Sequence, residues 1–326
     1  MQEELQPLYL YYGEEEYVLE NTIKKIKKSF GNLVLGINYI QIEEQNSNKI
    51  IQEIETPAFG FAKKMIIVKN TNLFAKVSKN NKGIEQEKIA EYIKNNISNI
   101  KESIVLIFIE KEVTKNELYK VIEKDGEIKN FELLKPAQIG TNIKKICNMY
   151  KVKISDENVK MMMEITGSNM QNIINELRKL IEYAGENGEV TKEAIEKLTI
   201  KQLEYVIFDL TDNLGKRDIK KALEILRQLI YNKEPIQKIL ITLYNHFKKL
   251  YIVHLAKKYN KDIQQSLNLK PNQVYFVGKY KRQADYFKTK ELRKILEELI
   301  NLDYNSKQGK IDLEIGLESI LCTYCS

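Results

Sequence analysis

Two periodicities of apolar residues alternate along the first 135 residues of the chain. Short apolar runs of strand length are separated by stretches in which apolar residues recur every three or four positions, as on one face of a helix. This pattern predicts strands at 8–12, 37–42, 65–69, 104–109 and 128–132, and helices at 16–29, 46–55, 85–97 and 114–124. Such alternation is typical of a parallel sheet with helices on both faces.

Beyond Pro136 the strand pattern stops and only helical spacing follows. The predicted helices are 139–150, 155–165, 169–184 and 191–198, then 203–213, 217–231, 235–259, 262–268, 271–283, 289–307 and 310–323. We therefore expect an α/β domain at 1–138, a small helical lid domain at 139–205, and an all-helical C-terminal domain at 206–326.

The first strand runs through a single glycine, Gly13, into three glutamates and a helix. A nucleotide-binding domain would have a phosphate-binding loop at this place. Phosphate binding needs several glycines, a lysine and a Ser or Thr, and the carboxylates of Glu14, Glu15 and Glu16 would repel phosphates. Acids also suit the first turn of a helix, so we interpret them as helix-start residues.

The composition is typical of a folded protein, since 43% of the 326 residues are hydrophobic and 30% are charged. The longest apolar runs are strand-sized, far short of the roughly 20 residues of a membrane span. Residues 1–4 include two acids and show no signal-peptide pattern. We expect a cytoplasmic protein that makes no membrane contact.

Cysteine and histidine are too sparse to indicate a metal or redox site. Cys322 and Cys325 form a lone CxxC pair near the chain end, and Cys147 stands apart. The two histidines, His246 and His254, have no nearby carboxylates arranged as ligands. We interpret all five as structural or surface residues and expect no cofactor.

The order of these domains matches the layout of the AAA+ clamp-loader group. In an ATPase of this kind the strand at 65–68 would end in Asp-Glu to hold magnesium, but here it ends in Lys69-Asn70. Two independent parts of an ATPase site are therefore missing, and we expect no catalytic residues and no ATP hydrolysis by this chain.

The chain resembles the delta-subunit family of bacterial DNA polymerase III over essentially its whole length. The resemblance rests on the order and spacing of four segments: YLYYGEE at 9–15, ETPAFG at 55–60 followed by the strand at 65–68, NELRKL at 175–180, and DYxxKxG at 303–309. It implies a degenerate AAA+/RecA-like sheet domain, a lid and a helical collar domain. The 175–180 segment fits lid packing better than a binding site.

The resemblance also implies that Pro57, Ala58 and Phe59 form a tip that inserts into a hydrophobic pocket on the sliding clamp (beta). The residue types agree, because Pro57 stops a helix and Phe59 and Phe61 place two aromatic rings in a turn before the basic pair 63–64. The alternative is that both rings pack beneath the sheet. Ala58 departs from the commoner two-aromatic or Leu-Phe pattern, and Phe61 is a candidate to compensate.

The collar is implied to assemble with the ATPase subunits (gamma/tau) and delta-prime, close to primer-template DNA. Residues 211–326 hold 22 Lys and Arg against 13 Asp and Glu, whereas residues 1–210 hold 30 and 32, so the positive charge belongs to the last third. Lys307 and Lys310 flank Gly309 and are the candidates to face DNA. A solvated turn explains these two lysines equally well. Solvated lysine-rich helices likewise explain the charge of the whole region as well as a DNA partner does.

Together these observations predict a non-catalytic clamp-loader subunit that binds and opens the sliding clamp during DNA replication. The complex as a whole is a DNA-directed DNA polymerase, a nucleotidyltransferase, although this chain lacks the carboxylate cluster that such chemistry needs. Two alternatives stay open: a divergent AAA+ ATPase, and a stand-alone DNA-binding adaptor.

Overall fold

A computed structural model describes residues 5–76 and 84–325 of the chain. The chain divides into two compact units, one up to Leu133 and one from Leu134 onward. Residues 76–84, whose three lysines and two asparagines predict a solvated loop, lie almost entirely outside the described residues. The further division of the second unit into a lid at 139–205 and a collar at 206–326 stays a prediction.

The first unit is built on a five-stranded sheet in which every strand pairing is parallel. The strand order is β2-β3-β4-β1-β5. Its elements are β1 (Leu8–Tyr12), α1 (Glu16–Phe30), β2 (Tyr39–Glu43), a 3₁₀ turn (Glu44–Lys49), α2 (Ile50–Glu55), β3 (Lys64–Lys69), α3 (Ile84–Asn95), α4 (Ile97–Ser103), β4 (Ile104–Glu110), α5 (Glu117–Asp125) and β5 (Glu127–Asn130).

The sheet is covered on both faces because its central strands are apolar on both sides. β3 and β4 are buried along almost their full length, and successive residues point to opposite faces. One face packs against α1 and the other against α2, α3 and α5, which gives two separate hydrophobic clusters. The predicted parallel sheet with helices on both faces is confirmed.

Two local predictions in this unit were wrong. The helix predicted at 114–124 begins at Glu117, where the side chain of Asn116 caps it by accepting from the Tyr119 N–H. The Thr114 hydroxyl instead donates to the carbonyl of Phe74 at 2.7 Å. The pattern also missed α4, which is separated from α3 because Asn96 leaves the helical conformation.

The second unit is almost entirely helical. Its elements are α6 (Pro136–Met149), β6 (Lys153–Ile154), α7 (Asp156–Thr166), α8 (Met170–Ala184), β7 (Glu189–Val190), α9 (Lys192–Leu198), α10 (Leu203–Gly215), α11 (Ile219–Tyr231), α12 (Ile236–Lys258), α13 (Ile263–Leu267), a 3₁₀ turn (Pro271–Phe276), α14 (Val277–Ala284), α15 (Thr289–Lys307) and α16 (Leu313–Cys325). The expectation that strands stop at 136 was wrong in one detail, since β6 and β7 pair in parallel.

A buried polar network lies in the core of the helices from α10 onward. His246 on α12 is within 2.7 Å of Gln283 on α14, and Gln283 also donates to the carbonyl of Phe208 and to Asp212 on α10. The network therefore ties three helices together. Burial lowers the pKa of His246 to about 3, so its imidazole is neutral in the folded protein.

This histidine makes folding stability depend on pH. In the unfolded chain the pKa of His246 is about 6.5, so the unfolded state binds a proton below that pH while the folded state does not. Its contribution is complete above about pH 6.5 and is lost as the pH falls toward 3. We expect His246→Gln to remove about 2 kcal/mol of the stability loss between pH 7 and pH 5. Urea unfolding at both pH values measures it.

His254 provides the control for that experiment. It is partly exposed and lies within 2.8 Å of the carbonyl of Ala284. We expect His254→Gln to keep the wild-type loss of stability at low pH. An equal pH dependence in wild type and His246→Gln would contradict the assignment to His246.

Candidate functional site

The loop between α2 and β3, residues 56–63, projects an aromatic side chain into solvent. The N–H of Phe61 donates to the carbonyl of Ala58 at 3.0 Å, and Gly60 between them has a φ of +79° that favours glycine. Phe59 stands at the outer corner of this turn with 91% of its side chain exposed. We call residues 57–61 the tip.

The other predicted members of the tip are placed differently. Pro57 is exposed, while Ala58 and Phe61 are half-buried. Phe61 lines a recess of about 410 Å³ beneath the tip, together with Tyr92 and Ile100. The alternative that both aromatic rings pack under the sheet therefore holds partly for Phe61 and not for Phe59.

A buried lysine anchors the base of the tip. Lys64 is 2% exposed, and its ammonium donates to the Glu53 carbonyl at 2.7 Å, the Glu53 carboxylate at 2.8 Å and the Thr56 carbonyl at 3.2 Å. All three donors of the ammonium are used, and two of them satisfy carbonyls at the end of α2. The charge also suits the negative end of the helix.

The sequence pattern did not identify this role of Lys64. It grouped Lys63 and Lys64 as a basic pair beside the tip, whereas only Lys63 is exposed. The sequence does contain one indication that Lys64 is buried, since this residue directly precedes the apolar strand at 65–68. A lysine at the first position of a buried strand needs a partner, and the end of α2 supplies it.

α2 reaches the tip because its apolar side chains hold it against the sheet. Ile50 and Ile54 are buried in the cluster on the α2 face of the sheet, and Ile51 packs against its margin. The helix ends at Glu55, and the hydroxyl of Thr56 donates to the Gln52 carbonyl at 2.8 Å. The tip thus follows directly from a short, fixed helix.

The loop at Gly13 is filled by the protein's own backbone. Gly13 has a φ of +125°, and a Cβ placed on it would lie 2.3 Å from the carbonyl oxygen of Phe131. The same carbonyl accepts from the N–H of Glu15 at 3.0 Å, immediately before α1. The Glu15 N–H, which a bound phosphate would need as a donor, therefore already donates to a backbone carbonyl.

This close approach makes a substitution at Gly13 costly. We expect Gly13→Ala to lower the free energy of unfolding by about 2–4 kcal/mol, because the new methyl group both clashes and imposes an unfavourable φ. Gly31 is the matched control, since it has a φ of +98° with no atom within 4 Å of an added Cβ. Gly31→Ala should cost only about 1–2 kcal/mol. Equal losses in denaturant titrations would contradict this account.

The carboxyl ends of β3 and β4 carry a buried acid with a structural partner. Oε1 of Glu110 accepts from the Thr71 N–H at 2.9 Å and from its hydroxyl at 2.8 Å. Burial raises the pKa of Glu110, and the bonds from Thr71 partly oppose that shift. Within residues 5–76 and 84–325 no group of three or more His, Cys, Asp or Glu side chains could hold a metal ion.

A cleft of about 380 Å³ lies between α1 and these strand ends. Its lining mixes both signs of charge, with the acids Glu16, Glu20 and Glu110 and the lysines Lys24, Lys27, Lys69 and Lys111. Such a mixture gives no concentrated positive field for an anion.

The two predicted DNA-facing lysines lie at the end of α15. Lys307 is exposed and pairs with Asp303 at 2.7 Å, one helical turn earlier. Lys310 is exposed beyond Gly309, which has a φ of +70° and forms the turn. Both side chains can reach solvent, and the pair with Asp303 reduces the charge that Lys307 presents.

The cysteines differ in exposure. Cys147 is buried in the second unit, where burial raises the pKa of its thiol to about 11. Cys322 is exposed. The side chain of Cys325 lies outside the described residues.

The strand order, the filled loop at Gly13 and the helical second unit define an α/β chain with a helical C-terminal part. Two family profiles match it: "DNA polymerase III, delta subunit" at residues 9–132, and "DNA polymerase III delta subunit, C-terminal domain" at residues 204–324. Together they span most of both units. The chain therefore belongs to the DNA polymerase III delta subunit family.

Individual relatives agree over nearly the full length. DNA polymerase III subunit delta of Bacillus subtilis is 26% identical, with 98% of this chain and 92% of the relative covered. A probable DNA polymerase III subunit delta of Aquifex aeolicus is 24% identical, covering 92% and 86%. The solved structure of the DNA clamp loader delta protein of Bacillus subtilis has the same fold, with a TM-score of 0.70, 23% identity and coverage of 98% and 96%.

None of the described helices combines the length and apolar character that crossing a membrane requires.

Proposed function

We propose that this chain is the clamp-loader subunit that binds the sliding clamp through its tip and opens it, without hydrolysing ATP itself. The observation that carries the proposal is the exposure of Phe59 on a turn that is fixed at both ends. Family membership supports the same partner, since a relative with this fold is a clamp-loader delta protein.

The tip has the properties of an interface anchor. An exposed phenylalanine is unfavourable in water, and its complete burial in a pocket contributes about 1.5–3 kcal/mol. The anchor loses little conformational entropy on binding, because Gly60 and the Ala58–Phe61 hydrogen bond already define the turn. Binding energy is therefore concentrated in one side chain.

Opening requires a difference in affinity between two states of the clamp. A ligand shifts an equilibrium only by as much as it binds one state better than the other. We propose that the tip contacts the open clamp better than the closed one, so that binding stabilises the open ring. Nucleotide binding in the partner subunits would then control whether the tip is accessible.

The second unit supports assembly in this proposal. We assign its residues 139–205 to the lid and 206–326 to a collar that joins the ATPase subunits (gamma/tau) and delta-prime beside primer-template DNA. The excess of nine positive charges in residues 211–326 suits a DNA neighbour. Lys310 is the better of the two candidate contacts, because Lys307 is already paired with Asp303.

One set of titrations separates this proposal from its two rivals. The purified chain is titrated with the sliding clamp of the same organism, with ATP and magnesium, and with primed DNA at several salt concentrations. We expect saturable binding of the clamp. Binding of ATP alone would favour a divergent ATPase, and steeply salt-dependent DNA binding with no clamp binding would favour a DNA adaptor.

A further inference from the structure

The exposed large apolar side chains of the first unit are few, and they lie in two loops. Among the residues of this unit whose exposure is described, 5–76 and 85–133 except Gln45, they are Leu35, Ile37 and Phe59, which are 69%, 43% and 91% exposed. Leu35 and Ile37 belong to residues 31–38, between α1 and β2, which we call the second loop. Exposed apolar residues that lie together on a surface indicate a binding site, so the relative position of the two loops matters.

The second loop and the tip lie at the same end of the sheet, where β2 and β3 begin. The second loop leads into β2 and the tip leads into β3, and these neighbouring parallel strands pair in register from Tyr39 and Met65 onward. The N–H of Met65 donates to the Asn38 carbonyl at 2.7 Å, which joins the end of the second loop to the start of β3. The loops reach this end of the sheet from opposite faces, because α1 and α2 cover different faces.

Hydrogen bonds define the conformation of the second loop. The Asn38 side chain is almost completely buried; its amide donates to the Asn32 carbonyl at 2.8 Å and accepts from the Val34 N–H at 2.7 Å. The Val34 carbonyl in turn accepts from the N–H groups of residues 37, 38 and 39. The apolar side chains of Leu35 and Ile37 are therefore presented on a defined turn, as Phe59 is.

The second loop and the tip lack charge in a chain that is 30% charged, although the exposed Lys63 follows the tip before β3. Residues 29–42 contain no charged side chain, and neither do the tip residues 57–61. Depletion of charge with exposed apolar anchors is characteristic of the centre of a protein interface.

We infer that Leu35 and Ile37 form a second contact with the sliding clamp, at the same end of β2 and β3 as the tip. The inference rests on the proposed function. We assign the same partner to both loops because they lie at the same end of two neighbouring strands. Phe59 supplies the anchor in this arrangement. The second loop widens the contact on the other face of the sheet and fixes the orientation of the chain on the clamp.

The test compares Leu35→Ser/Ile37→Ser, Phe59→Ala and Tyr231→Ser in titrations with the sliding clamp. Tyr231 is the control, because it is 86% exposed but lies on α11 in the second unit. We expect the double variant to bind the clamp about tenfold more weakly than wild type, and Tyr231→Ser to bind like wild type. Circular dichroism confirms that each variant is folded.

Wild-type affinity in the double variant, with binding lost in Phe59→Ala, would overturn the inference and leave the proposed function intact. Absence of clamp binding by the wild type would overturn both. Hydrogen exchange of the wild-type protein gives a second measurement that needs no variant. We expect slower exchange across residues 33–37 when the clamp is bound; protection that appears only with other loader subunits, or only on self-association, would contradict the assignment.

Discussion

Phe59→Ala is expected to weaken binding of the sliding clamp by about 30- to 1000-fold, equivalent to about 2–4 kcal/mol. The side chain makes almost no contact in the free protein, since 91% of it is exposed. Its removal should therefore leave the free energy of unfolding unchanged within about 0.5 kcal/mol. Titration calorimetry with the clamp measures the first effect, and urea unfolding measures the second.

Phe61→Ala provides an informative comparison for this result. Phe61 is half-buried over the recess beneath the tip, so its removal should lower stability as well as binding. If Phe61→Ala abolished clamp binding while Phe59→Ala left it intact, the anchor would be Phe61 and the assignment to Phe59 would be wrong.

Lys64→Met is expected to lower the free energy of unfolding by about 2–4 kcal/mol. The substitution leaves the Glu53 carbonyl and the Thr56 carbonyl without their donor and removes the partner of the Glu53 carboxylate. Because these groups fix the end of α2, the tip should also lose its orientation. We therefore expect weaker clamp binding even at temperatures where the variant is fully folded. Thermal unfolding and clamp titration measure the two effects.

Lys63→Met is the matched control. Lys63 is the neighbouring lysine and is exposed, so its replacement should change the free energy of unfolding by less than about 0.5 kcal/mol. Equal stability losses in the two variants would show that the buried ammonium of Lys64 has no special role.

The main elements of the sheet domain could be predicted from the sequence because their apolar runs are strong. The strand at 8–12 was placed at its observed bounds, and the strands expected at 65–69 and 104–109 lie within one residue of β3 and β4. Buried parallel strands are continuously apolar, so their signal is local. The pair β6 and β7 was missed because two residues are too few to show a period.

The chemistry of the candidate site was only partly accessible. Resemblance to the family selected the tip, and the aromatic turn at Phe59 had a local signal in Pro57 and Gly60. The role of Lys64 depends on where the end of α2 lies in space, and no local pattern specifies that contact. In the sequence, Leu35 and Ile37 cannot be distinguished from other apolar residues. Only the pairing of β2 with β3 places their loop at the same end of the sheet as the tip.

Opening of the sliding clamp by the isolated wild-type chain tests the central claim most directly. The clamp carries a donor and an acceptor dye on opposite sides of one subunit interface, and the chain is added without ATP or other loader subunits. We predict that energy transfer falls as the chain saturates the clamp and that Phe59→Ala leaves it unchanged at the same concentration. Saturation of the clamp by wild-type protein with no change in energy transfer would contradict the proposed opening function.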